Sequence, residues 1–160
     1  MRALTLTLQD PAATAQLGLL LCGHLRAGDV LALEGTLGAG KSVLARAIIS
    51  TACPLEDDIP SPTFTLVQTY EPEAMPMIMH FDLYRLDDPQ DALELGIEDA
   101  FIDAVSIIEW PQRLGGYLPR TALTIALAAG DQETSRIAHI RGDARWDQVL
   151  DDMQHHLPAA

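Results

Sequence analysis

Apolar and polar residues alternate from Arg2 to Leu8, with Leu4, Leu6 and Leu8 on one face, a pattern that predicts a half-buried strand. Asp10 stands where a helix N-cap belongs and Pro11 where the first turn begins; the helix is expected through Ala12 to Leu25, stopping near Gly28. Val30 to Leu33 is apolar throughout, the mark of a short strand buried on both faces. A helix is expected over Ser42 to Ser50, then an acidic, proline-punctuated loop from Pro54 to Pro62. Thr63 to Tyr70 and Met77 to Leu83 read as strands, and the short Glu71-Pro72-Glu73-Ala74 link pairs them as an antiparallel hairpin. Asp88 to Leu95 reads as a helix ending at Gly96, and Glu98 to Asp103 as a short helical turn. Val105 to Ile108 is a second buried strand, closed by Glu109-Trp110-Pro111. Thr121 to Ala128 and Arg136 to Ile140 read as strands joined through Gly130-Asp131, and Ala144 to His155 as an amphipathic closing helix.

This mixture predicts one α/β domain spanning residues 1–160. The two buried strands belong at the centre and parallel; the alternating ones belong outside and partly antiparallel. A chain of 160 residues has the length for one core. No apolar run is long enough to span a membrane, and the N-terminus has no signal-peptide organisation. Cys22 and Cys53 lack metal or redox spacing, so they read as reduced thiols in a cytosolic core.

The chemistry begins between the first buried strand and the helix after it. Gly35-Thr36-Leu37-Gly38-Ala39-Gly40-Lys41-Ser42 is a complete G-x-x-x-x-G-K-S phosphate-binding loop, or P-loop. Glycines 35, 38 and 40 let the backbone fold round a phosphate chain and aim its N–H groups inward. The helix N-terminus adds positive potential, with Ala39 and Val43 in the same wall. Lys41 is placed for the β- and γ-phosphates, and the Ser42 hydroxyl for Mg²⁺. The expected fold is therefore the P-loop NTPase-like three-layer sandwich with a mixed, partly antiparallel sheet.

Such a site needs a carboxylate at the end of a buried strand, and two fit: Asp82 after Met77 to Phe81, and Glu109 after Ser106-Ile107-Ile108. Trp110 is either a core aromatic or a flank of the nucleotide, and residue type alone favours the core. Ser61-Pro62-Thr63-Phe64-Thr65 sits where switch segments sense a γ-phosphate, although alone it reads as an ordinary Ser-Pro turn. No Asn-Lys-x-Asp signature for guanine exists, which favours adenine.

Charge narrows the partners. The formal net charge is −13, which excludes an unaided grip on nucleic acid. The chain has one lysine, and it is Lys41.

Four segments in this order resemble one family: Leu33-Glu34-Gly35 running into Leu37 to Ser42, Ser61 to Val67, His80-Phe81-Asp82-Leu83-Tyr84-Arg85-Leu86, and Ile108-Glu109-Trp110-Pro111. They are similar to the TsaE (YjeE) family of small bacterial ATPases needed for threonylcarbamoyladenosine in tRNA, over about residues 1 to 145. The resemblance implies slow, Mg²⁺-dependent ATP hydrolysis. It also implies a complex with the TsaD and TsaB proteins, through which alone tRNA would be met. It gives Ser42 and Glu109 as Mg²⁺ ligands, Asp82 as the essential aspartate, and Ser61 to Phe64, with Thr63 among them, as the switch-like segment; Asp82, Lys41 and Glu109 are then the expected catalytic residues and Thr63 a nucleotide contact. Arg136 loosely matches a family arginine near the adenine. Thr36 departs from the usual acid, and Ser42 from the usual threonine, while keeping the hydroxyl. A small-molecule kinase is the alternative enzyme, but no lid-length, arginine-rich insertion exists; a non-hydrolysing scaffold is the third reading, against which Asp82 and Glu109 both count.

Overall fold

Strands that are apolar on both faces must be covered on both sides, and the architecture follows from that requirement. The computed structural model describes all of residues 1–160. Seven strands form one sheet: β1 Arg2–Leu8, β2 Val30–Glu34, β3 Val67–Tyr70, β4 Ile78–Asp82, β5 Val105–Glu109, β6 Leu123–Ala129 and β7 Arg136–Gly142. Their order is β1-β7-β6-β2-β5-β4-β3. β6, β2, β5 and β4 run parallel; β3 at one edge is antiparallel to β4, and at the other β7 is antiparallel to both β6 and β1, so that edge strand β1 runs in the direction of the central four. The expected central, parallel pair is β2 beside β5.

Period-two geometry sends alternate residues of each strand to opposite layers. Leu31 and Leu33 meet α1 (Pro11–Cys22), α2 (Lys41–Ala52) and α4 (Asp147–His156) in one buried cluster with Leu17, Leu44, Ile48 and Leu150. Val30, Ala32 and Ile108 face the other way, into a smaller cluster with Leu86, Ile97 and Leu114. That second layer consists of α3 (Ile97–Asp103) and two 3₁₀ segments, Pro89–Leu95 and Pro111–Tyr117. Its sheet contacts come from β2, β4 and β5, with Val67 of β3 packed against it at the edge. The molecule is thus a three-layer sandwich with one thin layer.

Several local expectations are corrected. The first helix ends at Cys22, not Leu25, because Gly23 caps it and the Asp29 carboxylate accepts the Arg26 N–H at 2.8 Å, turning the chain. The strand expected from Thr63 begins at Val67, since Leu66 lies in the left-handed region (φ 67°) and its N–H donates to Pro62 O at 2.7 Å. Asp88 to Leu95 is a 3₁₀ segment rather than an α-helix, with the Asp88 carboxylate accepting the Gln90 N–H. The closing helix splits into a 3₁₀ turn, Ala144–Trp146, and α4, where buried Trp146 donates from Nε1 to Thr121 O. The 3₁₀ segment after Glu109 carries no sequence expectation at all.

The phosphate-loop helix is held by α1, and one residue sets how closely. A Cβ on Gly18 would stand 2.8 Å from Ala47 Cβ on α2. Gly18→Val should therefore lower stability by about 1–3 kcal/mol through overpacking. Chemical denaturation measures it; an unchanged midpoint would show that the helices can separate freely.

Candidate functional site

The parity that builds the layers also builds the site. Ile78 on β4 and Val105 and Ile107 on β5 face the α2 layer, so His80, Asp82 and Glu109 face it too. Asp82 pairs in register with Glu109, at the C-terminal ends of neighbouring parallel strands. Open α/β sheets place ligands at such ends. The loop from β2 into α2 passes over the same point.

The loop is shaped by its glycines. Gly35 has φ 144°, and a Cβ there would lie 2.7 Å from Leu127 O. Gly38 and Gly40 also have positive φ, and Gly40 opens α2 with no side-chain cap. The backbone N–H groups of Leu37, Gly38 and Gly40 make no hydrogen bond within the protein, and the first turn of α2 has free donors by helix geometry. Lys41 is 5 % exposed. Its ammonium donates to Gly35 O and Thr36 O, and lies 3.8 Å from the centre of the Trp110 ring. Burial lowers its pKa from the ordinary 10.5, while the nearby carboxylates of Glu109 and then Asp82 oppose that shift.

Glu109 joins the loop to the sheet. Its Oε1 accepts the Ser42 hydroxyl at 3.0 Å, and its Oε2 lies 2.7 Å from His80 Nε2. Since an ionised carboxylate only accepts, Nε2 carries the proton in that contact. Asp82 faces the switch-like segment instead: Oδ2 accepts from Thr63 Oγ1 at 3.1 Å, and Thr63 Oγ1 lies 2.8 Å from Ser61 Oγ. Its Oδ1 accepts the Tyr84 N–H at 3.1 Å.

These groups line one cleft of about 250 Å³, walled by Gly38 to Val43, Thr63, Asp82, Glu109, Trp110 and Arg136. Gly35 lies just behind it, against Leu127. Val43 is 41 % exposed on the first turn of α2. Every residue singled out in the sequence is thus drawn to one place. Two of these side chains are held by contacts that the sequence does not show. Trp110 lines the cleft while packing against the edge of the smaller cluster: it is half-buried, lies near Tyr84 with ring centroids 4.9 Å apart, and adopts a left-handed backbone (φ 60°, ψ 50°). Arg136 reaches back to the loop, donating from Nε to Ala39 O at 3.1 Å and from a terminal nitrogen to Gly38 O at 3.2 Å. Sequence reasoning missed His80 as the partner of Glu109. The signal was available in the alternation Ile78, His80, Asp82, which puts the imidazole on the face of the acids.

The arrangement combines free N–H donors, a buried ammonium, and a hydroxyl paired with a carboxylate. Together these can hold a phosphate chain and a divalent cation upon it. No cluster of three or more His, Cys, Asp or Glu side chains fit for a metal occurs, so a cation here would take its other ligands from phosphate or water.

An α/β sheet with a glycine-rich loop between its central strand and the following helix defines the class. The profile of the TsaE family, threonylcarbamoyl adenosine biosynthesis protein TsaE, matches residues 8–138, and the chain belongs to that family. It is 35 % identical over 149 residues to the tRNA threonylcarbamoyladenosine biosynthesis protein TsaE of Rickettsia felis, covering 93 % of this chain and 86 % of the relative. The Nostoc protein of the same name is 41 % identical over 138 residues, covering 83 % and 82 %. Among solved structures, the Bacillus protein YdiB superposes with a TM-score of 0.76 at 25 % identity, covering 97 % of this chain and 96 % of that one. No helix is long and apolar enough to cross a membrane.

Because Lys41 is the only lysine, lysine-selective ¹³C labelling yields a single side-chain signal. Its titration midpoint should fall below 10.5 in the folded protein. The unfolded chain then binds more protons between the two values, so this group makes stability rise with pH through that window. A midpoint at or above 10.5 would contradict the buried placement.

Proposed function

We propose that the chain binds ATP with Mg²⁺ at the Gly35 to Ser42 loop and hydrolyses it slowly. In this reading it serves as the nucleotide-driven component of a tRNA threonylcarbamoyladenosine assembly with the TsaB and TsaD proteins in the cytoplasm. The observation that carries the reading is the 3.0 Å contact between Ser42 Oγ and Glu109, set under unpaired loop N–H groups and beside Lys41. The cleft of about 250 Å³ is below the 300–1,000 Å³ of sites that enclose a whole ligand, which suits a phosphate chain held inside with the base near the rim.

The residues divide the work by position. Loop N–H groups and Lys41 bind the β- and γ-phosphates and hold charge as it develops on them. Ser42 and Glu109 would hold Mg²⁺, whose chemistry is to neutralise the phosphate oxygens. Asp82, turned toward Thr63, orients a water for attack on the γ-phosphorus as the bond to the β-phosphate oxygen breaks. Trp110 and Arg136 flank the nucleotide. In this reading threonylcarbamoyl transfer is the work of the partner proteins, and the chain supplies the nucleotide step.

The test measures ATP affinity and single-turnover hydrolysis in four variants, alone and with the partner proteins. Lys41→Ala should abolish ATP binding with the fold intact by circular dichroism. Ser42→Ala and Glu109→Gln should weaken Mg²⁺-dependent binding by roughly 10- to 100-fold, and much less in EDTA. Asp82→Asn should retain ATP and lose on the order of 10²- to 10⁴-fold in hydrolysis. Unchanged affinity in Lys41→Ala would sink the phosphate-loop reading; wild-type hydrolysis by Asp82→Asn in the assembled complex would remove its catalytic role.

A further inference from the structure

The layer that covers β2, β4 and β5 stops short of the other half of the sheet. On that side β7 presents Ile137, His139 and Arg141, and the six positions paired beside them on β6 and β1 are all alanine or threonine. None of these nine positions is buried. The chain carries 23 acids against 10 lysine and arginine residues, yet none of the nine is acidic. The first carboxylate along these rows is Glu34 on β2, beside Ala126. Arg141 also lines a cleft of about 410 Å³ with Arg120, Leu118 and Met1. The arginine ion pairs of the molecule are made by Arg2 and Arg145, so exposed Arg120 and Arg141 face solvent without a carboxylate.

We infer that this open half-face docks one helix of an acidic protein partner, with carboxylates meeting Arg141 and Arg120 and its backbone close over the alanine and threonine rows. Shape supports a helix. The outer strands of the patch lie two strand spacings apart, about 10 Å, which is the diameter of a helix with short side chains. A helix laid there would extend the layer that α3 begins. Charge sets the sign: exposed Arg141 stands on the central strand between Ala3 and Thr124, and exposed Arg120, in the turn before β6, lines the cleft at the same end, so an approaching carboxylate meets both. RNA fits less well, because a polyanion spanning both arginines leaves the patch and meets the field of a −13 protein.

This inference rests on the reading that the chain works with protein partners, and the experiment separates the two. Assembly of the purified chain with TsaB and TsaD proteins is titrated in the presence of ATP. The variants are the charge reversal Arg120→Glu with Arg141→Glu and, separately, Ala126→Trp, which fills the small-residue row. Both should weaken assembly on the order of tenfold or more while leaving ATP affinity unaltered. A photo-cross-linking residue in place of Ala126 should join to a carboxylate-bearing helix of one partner. Wild-type assembly by both variants overturns the surface, as does a cross-link to added tRNA or to a second copy of this chain. A wild-type chain that fails to assemble overturns the partner reading and the surface together, a result the wild type reports before any variant is tested.

Discussion

The Glu109 carboxylate is almost wholly out of water, and an ion so placed is stable only when its oxygens are taken up by donors. Ser42 supplies one donor and His80 the other, from the helix above and the strand beside. Those two contacts fix more than a side chain. They set the height of α2 over the sheet, and with it the position of Lys41 and the free N–H groups at the helix start. They also require β4 and β5 to be neighbours, parallel and in the register that pairs Asp82 with Glu109. A slip of one residue in β4 would turn both His80 and Asp82 to the opposite layer.

The site holds its charges at some cost. Lys41 as a residue is 5 % exposed, and the lowered pKa of its ammonium records the loss of water around it. Trp110 keeps a left-handed backbone, which for a bulky residue costs on the order of 1–3 kcal/mol. The return is geometry: the turn after Glu109 brings the indole over the ammonium and beside Tyr84. Arg136 works on the far side, binding the carbonyls of Gly38 and Ala39 so that the corresponding N–H groups are directed the other way. The strain and the desolvation thus sit at the mouth of the cleft, while the cores on either side of the sheet are apolar.

Much of this was legible in the residues themselves. The phosphate loop announces its strand, turn and helix because glycine spacing and a lone lysine leave little other use for that stretch. Both acids follow apolar strands, so their location at strand ends could be read directly, though not which contacts each would make. For Trp110 residue type alone favours the core over the nucleotide flank, because it reports hydrophobicity, whereas the placement at the cleft depends on a backbone turn that no local propensity favours. The late start of β3 has a similar origin: Thr63 to Thr65 are good strand formers, but Asp82 captures Thr63 and holds the segment in a turn. His80 looked like one residue of a strand. Its pairing with an acid 29 positions away becomes visible only once the strand order is known. The 3₁₀ segments of the thin layer escaped notice because short, tight turns have no extended hydrophobic period to read.

The two tryptophans occupy opposite circumstances, and that difference makes the molecule its own optical probe. Trp146 is fully buried, with its indole N–H bound to Thr121 O and the Arg145 guanidinium 4.7 Å from its ring centre, and none of these three residues lines the cleft. Trp110 has an ammonium against its face. Any event that draws the Lys41 charge away from the ring alters the emission of one indole and leaves the other as a constant reference. Occupancy of the cleft can therefore be followed in unlabelled protein, with an internal standard built into the same chain.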